Sequence, residues 1–173
     1  MGVKVYCAPA PQHPRMSKPA APPPPAPPFH DVPVDHYEVL KDDGILRARL
    51  DGSIVVCLYD AVQEAGGMVH LRILPTGFSG RDASDETLAA DLLLLDRCLT
   101  TLQAAAPTAR NWQARIVTHY GTEDLLRPIG GGVLHSVTHS CEDSGVQIVQ
   151  SEAESGAPVT IGFRPAMGQF RKL

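Results

Sequence analysis

Two residues seventeen positions apart carry groups that could do chemistry together. Ser53 stands at the mouth of the apolar run Ile54-Val55-Val56-Cys57-Leu58-Tyr59, and His70 lies inside a second apolar run from Met68 to Leu74. A hydroxyl at a strand mouth with an imidazole nearby is the geometry of an activated nucleophile. The elements that must position the pair follow from the flanking residues. The first run is β-branched, short and preceded by Asp51-Gly52, so it reads as a buried strand. Asp60 and Gly66-Gly67 mark the turn out of it, and Pro75 closes the second run. Two strands joined this way lie side by side. The plainer readings are a turn hydroxyl capping a backbone amide for Ser53 and a satisfied histidine between strands for His70. Cys57 is four residues along the strand, about 13 Å from Ser53 at strand rise, and reads as core.

The same stretch resembles the active-site region of the chemoreceptor glutamine deamidases, the CheD family of bacterial chemotaxis. The residues that carry the likeness are Val55-Val56-Cys57-Leu58-Tyr59-Asp60, Gly66-Gly67-Met68-Val69-His70 and Leu74-Pro75, followed later by Ile129-Gly130 and Pro165-Ala166-Met167-Gly168. In the ungapped register His70 falls on the family's catalytic histidine and Ser53 on its catalytic cysteine. A one-residue deletion would instead place Ile54 at the nucleophile. Arg47 stands at the family's threonine, and if it pointed at the site it would disfavour a protonated His70. The family writes Ile-Gly-x-Arg-Asn at that point; here Ile129-Gly130 is kept, and the arginine and asparagine are gone from the run Gly130-Gly131-Gly132.

The resemblance implies hydrolysis of glutamine side-chain amides to glutamate on methyl-accepting chemotaxis receptors, without a cofactor or a metal. The alternative is a catalytically impaired paralogue that binds receptors or a CheC-type phosphatase. Cysteine suits this chemistry because a useful fraction is thiolate near neutral pH. Serine needs concerted proton removal and a strong oxyanion hole.

Composition bounds the rest. The chain has 173 residues, four cysteines, 43% hydrophobic residues and a net charge of −4. That balance gives no basic footprint for nucleic acid. No run approaches the ~20 apolar residues of a membrane span. The N-terminus lacks the apolar core of a signal peptide, and the scattered cysteines show no disulfide framework. A cytoplasmic protein with reduced thiols is expected. Eleven of the 16 prolines precede residue 34, so residues 1–34 read as a disordered proline-rich tail and 35–173 as one domain.

Within that domain, strands are expected at His36–Leu40, Ile45–Leu50, Ala114–Thr118, Gly145–Val149, Val159–Phe163 and from Gln169 to the end. Asp82 or Ser84 could cap a long helix whose face is Leu88, Leu92, Leu95, Leu99 and Leu102, ended by Pro107. Residues 133–144 suit a short helix with Val133, Leu134, Val137 and Cys141 inward. Gly130-Gly131-Gly132 could form a phosphate loop, although no Lys-Ser/Thr follows. His135 and His139 share a helix face and could bind zinc with Cys141 or His119; a solvated face is the commoner outcome. The fold class is therefore α+β: mixed β-sheets with one long and one short helix.

Overall fold

The computed structural model describes residues 1–2, 25–73, 84–122 and 126–173, with the backbone alone for 84–87. Residues 3–24 of the expected tail, the Leu74-Pro75 pair and the capping candidate Asp82 lie outside the described residues. The fold is α+β, with mixed sheets, one long helix and one shorter helix.

Among the described residues nine strands make two sheets. They are β1 (Phe29–Asp31), β2 (His36–Leu40), β3 (Ile45–Leu50), β4 (Ser53–Asp60), β5 (Ala65–Arg72), β6 (Gln113–His119), β7 (Gln147–Glu154), β8 (Val159–Arg164) and β9 (Gln169–Lys172). The helices are α1 (Ser84–Ala105) and α2 (Leu126–Asp143). The smaller sheet runs β1-β3-β8-β9 and the larger β2-β5-β4-β6-β7. β1 with β3 and β6 with β7 pair in parallel, and the other pairs among the described residues are antiparallel.

β4 is the central strand, and all eight of its residues are buried. A strand covered on both faces has no need of polar alternation, which explains its continuous apolar run. Ile54, Val56 and Leu58 face the helices and meet Leu95, Leu99, Leu102, Ile116 and Val137. Val55, Cys57 and Tyr59 face the smaller sheet and meet Leu46, Ala48, Leu50, Ile161 and Phe163. The order is helices, large sheet, small sheet. The alternation of Ile45–Leu50 works as its pattern implies: Leu46, Ala48 and Leu50 are buried, while Ile45, Arg47 and Arg49 face outward.

Three expectations are corrected. The ordered domain begins ahead of residue 35, because β1 pairs with β3 and Val32 is buried at 3% exposure. Proline keeps its carbonyl, and that of Pro28 accepts from the Ile45 N–H at 2.9 Å. A short proline-led strand is tolerated at a sheet edge, where its missing donor is not required.

Gly66 and Gly67 are not turn residues; they lie inside β5. The turn is made by the residues between Asp60 and Ala65. A Cβ on Gly66 would sit 2.4 Å from the Leu58 carbonyl oxygen, and one on Gly67 would sit 2.7 Å from that of Glu38. These glycines are needed for close backbone approach.

The short helix expected over 133–144 starts earlier, at Leu126, so the three glycines at 130–132 are helical and the phosphate-loop alternative is not formed. Pro128 in its first turn suits a helix start. Gly130 is buried because a Cβ there would meet the Tyr120 ring at 2.7 Å, whereas Gly131 and Gly132 face open space.

These glycines divide into two kinds, which a substitution series separates. Gly66→Ala should destabilise by about 1–3 kcal/mol, because the added methyl overlaps a fixed carbonyl. Gly131→Ala and Gly132→Ala should each stabilise by up to about 1 kcal/mol, through helix propensity alone. Urea unfolding of the purified variants measures both signs.

Candidate functional site

Ser53 and His70 meet at one end of the large sheet. The chain passes from β3 in the small sheet to β4 in the large one through Asp51-Gly52. Gly52 has φ +64°, a left-handed conformation that suits glycine. Its carbonyl accepts from the Ile73 N–H at 3.1 Å, which ties the turn to the segment that follows β5. Ser53 is the first residue of β4, and its Oγ accepts from the Asp51 N–H at 3.3 Å.

The register places His70 opposite Val55, so Ser53 is its diagonal neighbour on the same face of the sheet. The Ser53 Oγ lies 3.0 Å from His70 Nε2, and the expected meeting of these side chains is seen. The seventeen-residue interval works because β4 and β5 form an antiparallel pair joined by a short turn. The register with Ile54 at the nucleophile is not needed to bring a hydroxyl to the imidazole.

The other ring nitrogen has a partner that residue types could not reveal. His70 Nδ1 lies 2.9 Å from the Val32 carbonyl oxygen. A carbonyl can only accept, so Nδ1 carries the proton and donates. Nε2 is then the unprotonated nitrogen, and the Ser53 hydroxyl donates to it. This is the tautomer a general base requires. Burial lowers the His70 pKa from its ordinary 6.5, against the opposing effects of the Val32 bond and the Asp35 charge. The imidazole is therefore neutral at neutral pH. Ser53 is 0% exposed and His70 1%. Leu126, from the first turn of α2, reaches the Gly52 turn that delivers Ser53.

Arg47 does not join this pair, contrary to the position the resemblance assigns it. Its side chain lies on the outer face of the small sheet, paired with Asp31 and stacked over the Phe29 ring at 5.0 Å. The strand alternation that buries Leu46 and Ala48 turns Arg47 the other way.

Cys57 is core, as its strand position implies, and burial pushes its thiol pKa far up. The zinc set is not assembled. His119 directly opposes Ser53 on β6, but its Nε2 donates to the Ala157 carbonyl and its Nδ1 accepts from the Gly121 N–H. Cys141 is buried in the core, while His139 is exposed and faces Asp143 on its own helix at 3.5 Å. Among the described residues no group of three His, Cys, Asp or Glu could hold a metal. Among them, too, no helix is long and apolar enough to cross a membrane.

Two buried carboxyls near these elements behave oppositely. Burial alone would raise the Asp60 pKa. Four backbone donors, from Val62, Gln63, Arg110 and Asn111, outweigh it and hold the carboxylate below its ordinary range. Asp60 thus clamps the β4–β5 turn to the segment before β6, and its role in the motif is architectural. Asp91 on α1 is 5% exposed, and its Oδ2 has no partner. Burial and the charge of Asp35 push its pKa up to about 7, against the attraction of Arg72.

No model of a known protein family matches this chain, and no curated protein sequence matches it.

Unfolding at several pH values tests the two carboxyls. Asp60 has its pKa lowered by folding, so it stabilises above the ordinary carboxylate value, and that support fades as pH falls through the folded value. Asp60→Asn, which cannot accept all four bonds, should cost roughly 2 kcal/mol or more at pH 7 and much less at pH 3. Asp91 has its pKa raised, so the folded state loses stability as pH rises from about 4 to 7. Asp91→Asn should be stabilising at pH 8, on the order of 2 kcal/mol, and near neutral at pH 4. A flat Asp91→Asn profile would refute the second assignment.

Proposed function

We propose that this chain is a cytoplasmic amide hydrolase of the chemoreceptor glutamine deamidase type, with Ser53 in place of the family's cysteine. The observation that carries the reading is the 3.0 Å hydrogen bond from Ser53 Oγ to a His70 whose far nitrogen is capped by the Val32 carbonyl. In the proposed reaction His70 Nε2 takes the Ser53 proton as Oγ attacks the side-chain amide carbon of a receptor glutamine. The C–N bond then breaks, and the same nitrogen returns the proton to the departing ammonia. Water, deprotonated by His70, cleaves the resulting ester to glutamate and restores the serine. No cofactor enters this scheme.

The complete burial of Ser53 and His70 supports a second reading. A protein glutamine reaches the hydroxyl only if covering groups move. A closed site fits a paralogue that binds methyl-accepting receptors, or a CheC-type phosphatase, without turning over. On either reading we expect the protein as written to act far more slowly than a relative with cysteine.

The test incubates purified protein with receptor fragments and counts glutamine-to-glutamate conversions by mass spectrometry, beside Ser53→Ala and Ser53→Cys. Loss of a triad-type nucleophile costs about 10⁶-fold in turnover, so Ser53→Ala should abolish any conversion seen. Ser53→Cys should raise it, since a thiol ionises far more readily than a hydroxyl. Conversion unaffected by Ser53→Ala would reject Ser53 as the nucleophile. No conversion in all three, with fragments still retained, would leave the binding reading.

A further inference from the structure

We infer that Asp35 is the positioning residue of this site: it holds the Val32 carbonyl against His70 by gripping β5 at two points. The inference rests on the proposed reading for its catalytic meaning, while its geometric content stands apart from it.

A backbone carbonyl orients an imidazole only if its own segment is fixed. Val32 lies on the crossing from β1 to β2, which carries the chain from the small sheet to the large one. One end of that crossing is anchored by the Val32 N–H, which donates to the Arg47 carbonyl at 2.8 Å, and by the buried Val32 side chain. The other end is anchored by Asp35. Its N–H donates to the carbonyl of His70 itself at 2.7 Å. Its carboxylate pairs with the guanidinium of Arg72 at 2.5 Å, and Arg72 is two residues beyond His70 on the same face of β5.

Asp35 also has φ +62°. A residue with a side chain enters this left-handed region at a cost on the order of 1 kcal/mol, with Asp and Asn the most tolerant. The strain is sustained by the two bonds to β5. The crossing therefore closes a loop of contacts: Asp35 to the His70 backbone, His70 Nδ1 to Val32, Val32 to β3. Asp35 further supplies a negative field that favours a charged imidazole. It thereby serves the function of a triad carboxylate without touching the ring. Asp91 on α1 is a charged group coupled to the Asp35–Arg72 pair, and His36 on β2, next to Asp35, is the titratable residue paired with His70 across the strands.

The test reads the His70 ring directly. In ¹⁵N-labelled protein, long-range ¹⁵N–¹H correlation reports which nitrogen holds the proton and at what pH the ring charges. Wild type should show one neutral form with the proton on Nδ1. Asp35→Asn keeps the tolerated backbone without the charge, and Asp35→Gly keeps the backbone without any side chain. Both should show a mixture of tautomers. Their titration midpoint should move down, because the Asp35 field and the Val32 bond both favour the charged ring. A purely structural role would loosen the site and move the midpoint up toward 6.5.

Unchanged tautomer and midpoint in both variants would overturn the inference, as would an upward shift. A proton on Nε2 in wild type would overturn it even if neither variant folds. In a Ser53→Cys background, the Asp35 variants should lose tenfold or more in kcat with KM little changed. Absence of activity throughout would count against the proposed function and leave the ring measurement to judge Asp35.

Discussion

An imidazole buried at 1% exposure must find a partner for each nitrogen, and this requirement organises one end of the molecule. His70 meets it with the Val32 carbonyl on one side and the Ser53 hydroxyl on the other. Either group left unpaired in a dry interior would cost roughly 1–3 kcal/mol. The two partners come from different places in the fold. Val32 rides the crossing from β1 to β2, and Ser53 follows the crossing from β3 to β4. Both crossings carry the chain from the small sheet to the large one. The ring therefore pins together two of the corners at which the chain passes between the sheets, and its protonation state follows from what those corners present. A carbonyl accepts only, so the tautomer is decided by the backbone.

Much of this was legible in the residues, and the parts that were not share a physical cause. The β-branched run after Gly52 announced a fully buried strand, and period-two alternation announced the inner face of β3. The seventeen-residue interval brought Ser53 to His70 because a strand pair with a short turn has few registers. Val32 stayed hidden because a carbonyl acceptor belongs to every residue and has no signature of its own. β1 stayed hidden because a proline-rich approach reads as a tail, although an edge strand of three residues needs few donors. The glycines were misplaced for a related reason. Gly66, Gly67 and Gly130 answer to close contacts with Leu58, Glu38 and Tyr120, and such contacts are set by tertiary packing, which local propensity does not encode. Arg47 was readable as outward-facing from its alternation. Its pairing with Asp31 depended on β1 and so could not be anticipated.

The thiols sharpen the choice of nucleophile. Burial raises the pKa of Cys57, pushes that of Cys98 up to about 12 and that of Cys141 to about 11. None of these three supplies a thiolate at neutral pH, and reactivity of a cysteine follows its thiolate fraction. Among the described residues, the group that meets His70 Nε2 is therefore a hydroxyl and not a thiol.

The same dryness bears on which nucleophile suits this buried pair. A cysteine–histidine pair works best as thiolate and imidazolium, and that state places two charges where burial already lowers the His70 pKa. A serine–histidine pair is uncharged at rest and becomes an imidazolium only as the proton moves. The Val32 carbonyl and the Asp35 charge both favour the protonated ring, and on the proposed reading they would offset its desolvation as the proton moves. A neutral, enclosed resting state is thus consistent with Ser53, and it shifts the burden onto two other requirements. Donors must be placed for the developing oxyanion, and the groups over Ser53 must move for a substrate to enter. Leu126, from the first turn of α2, reaches the Gly52 turn that leads into Ser53, although α2 itself packs on the other face of the large sheet.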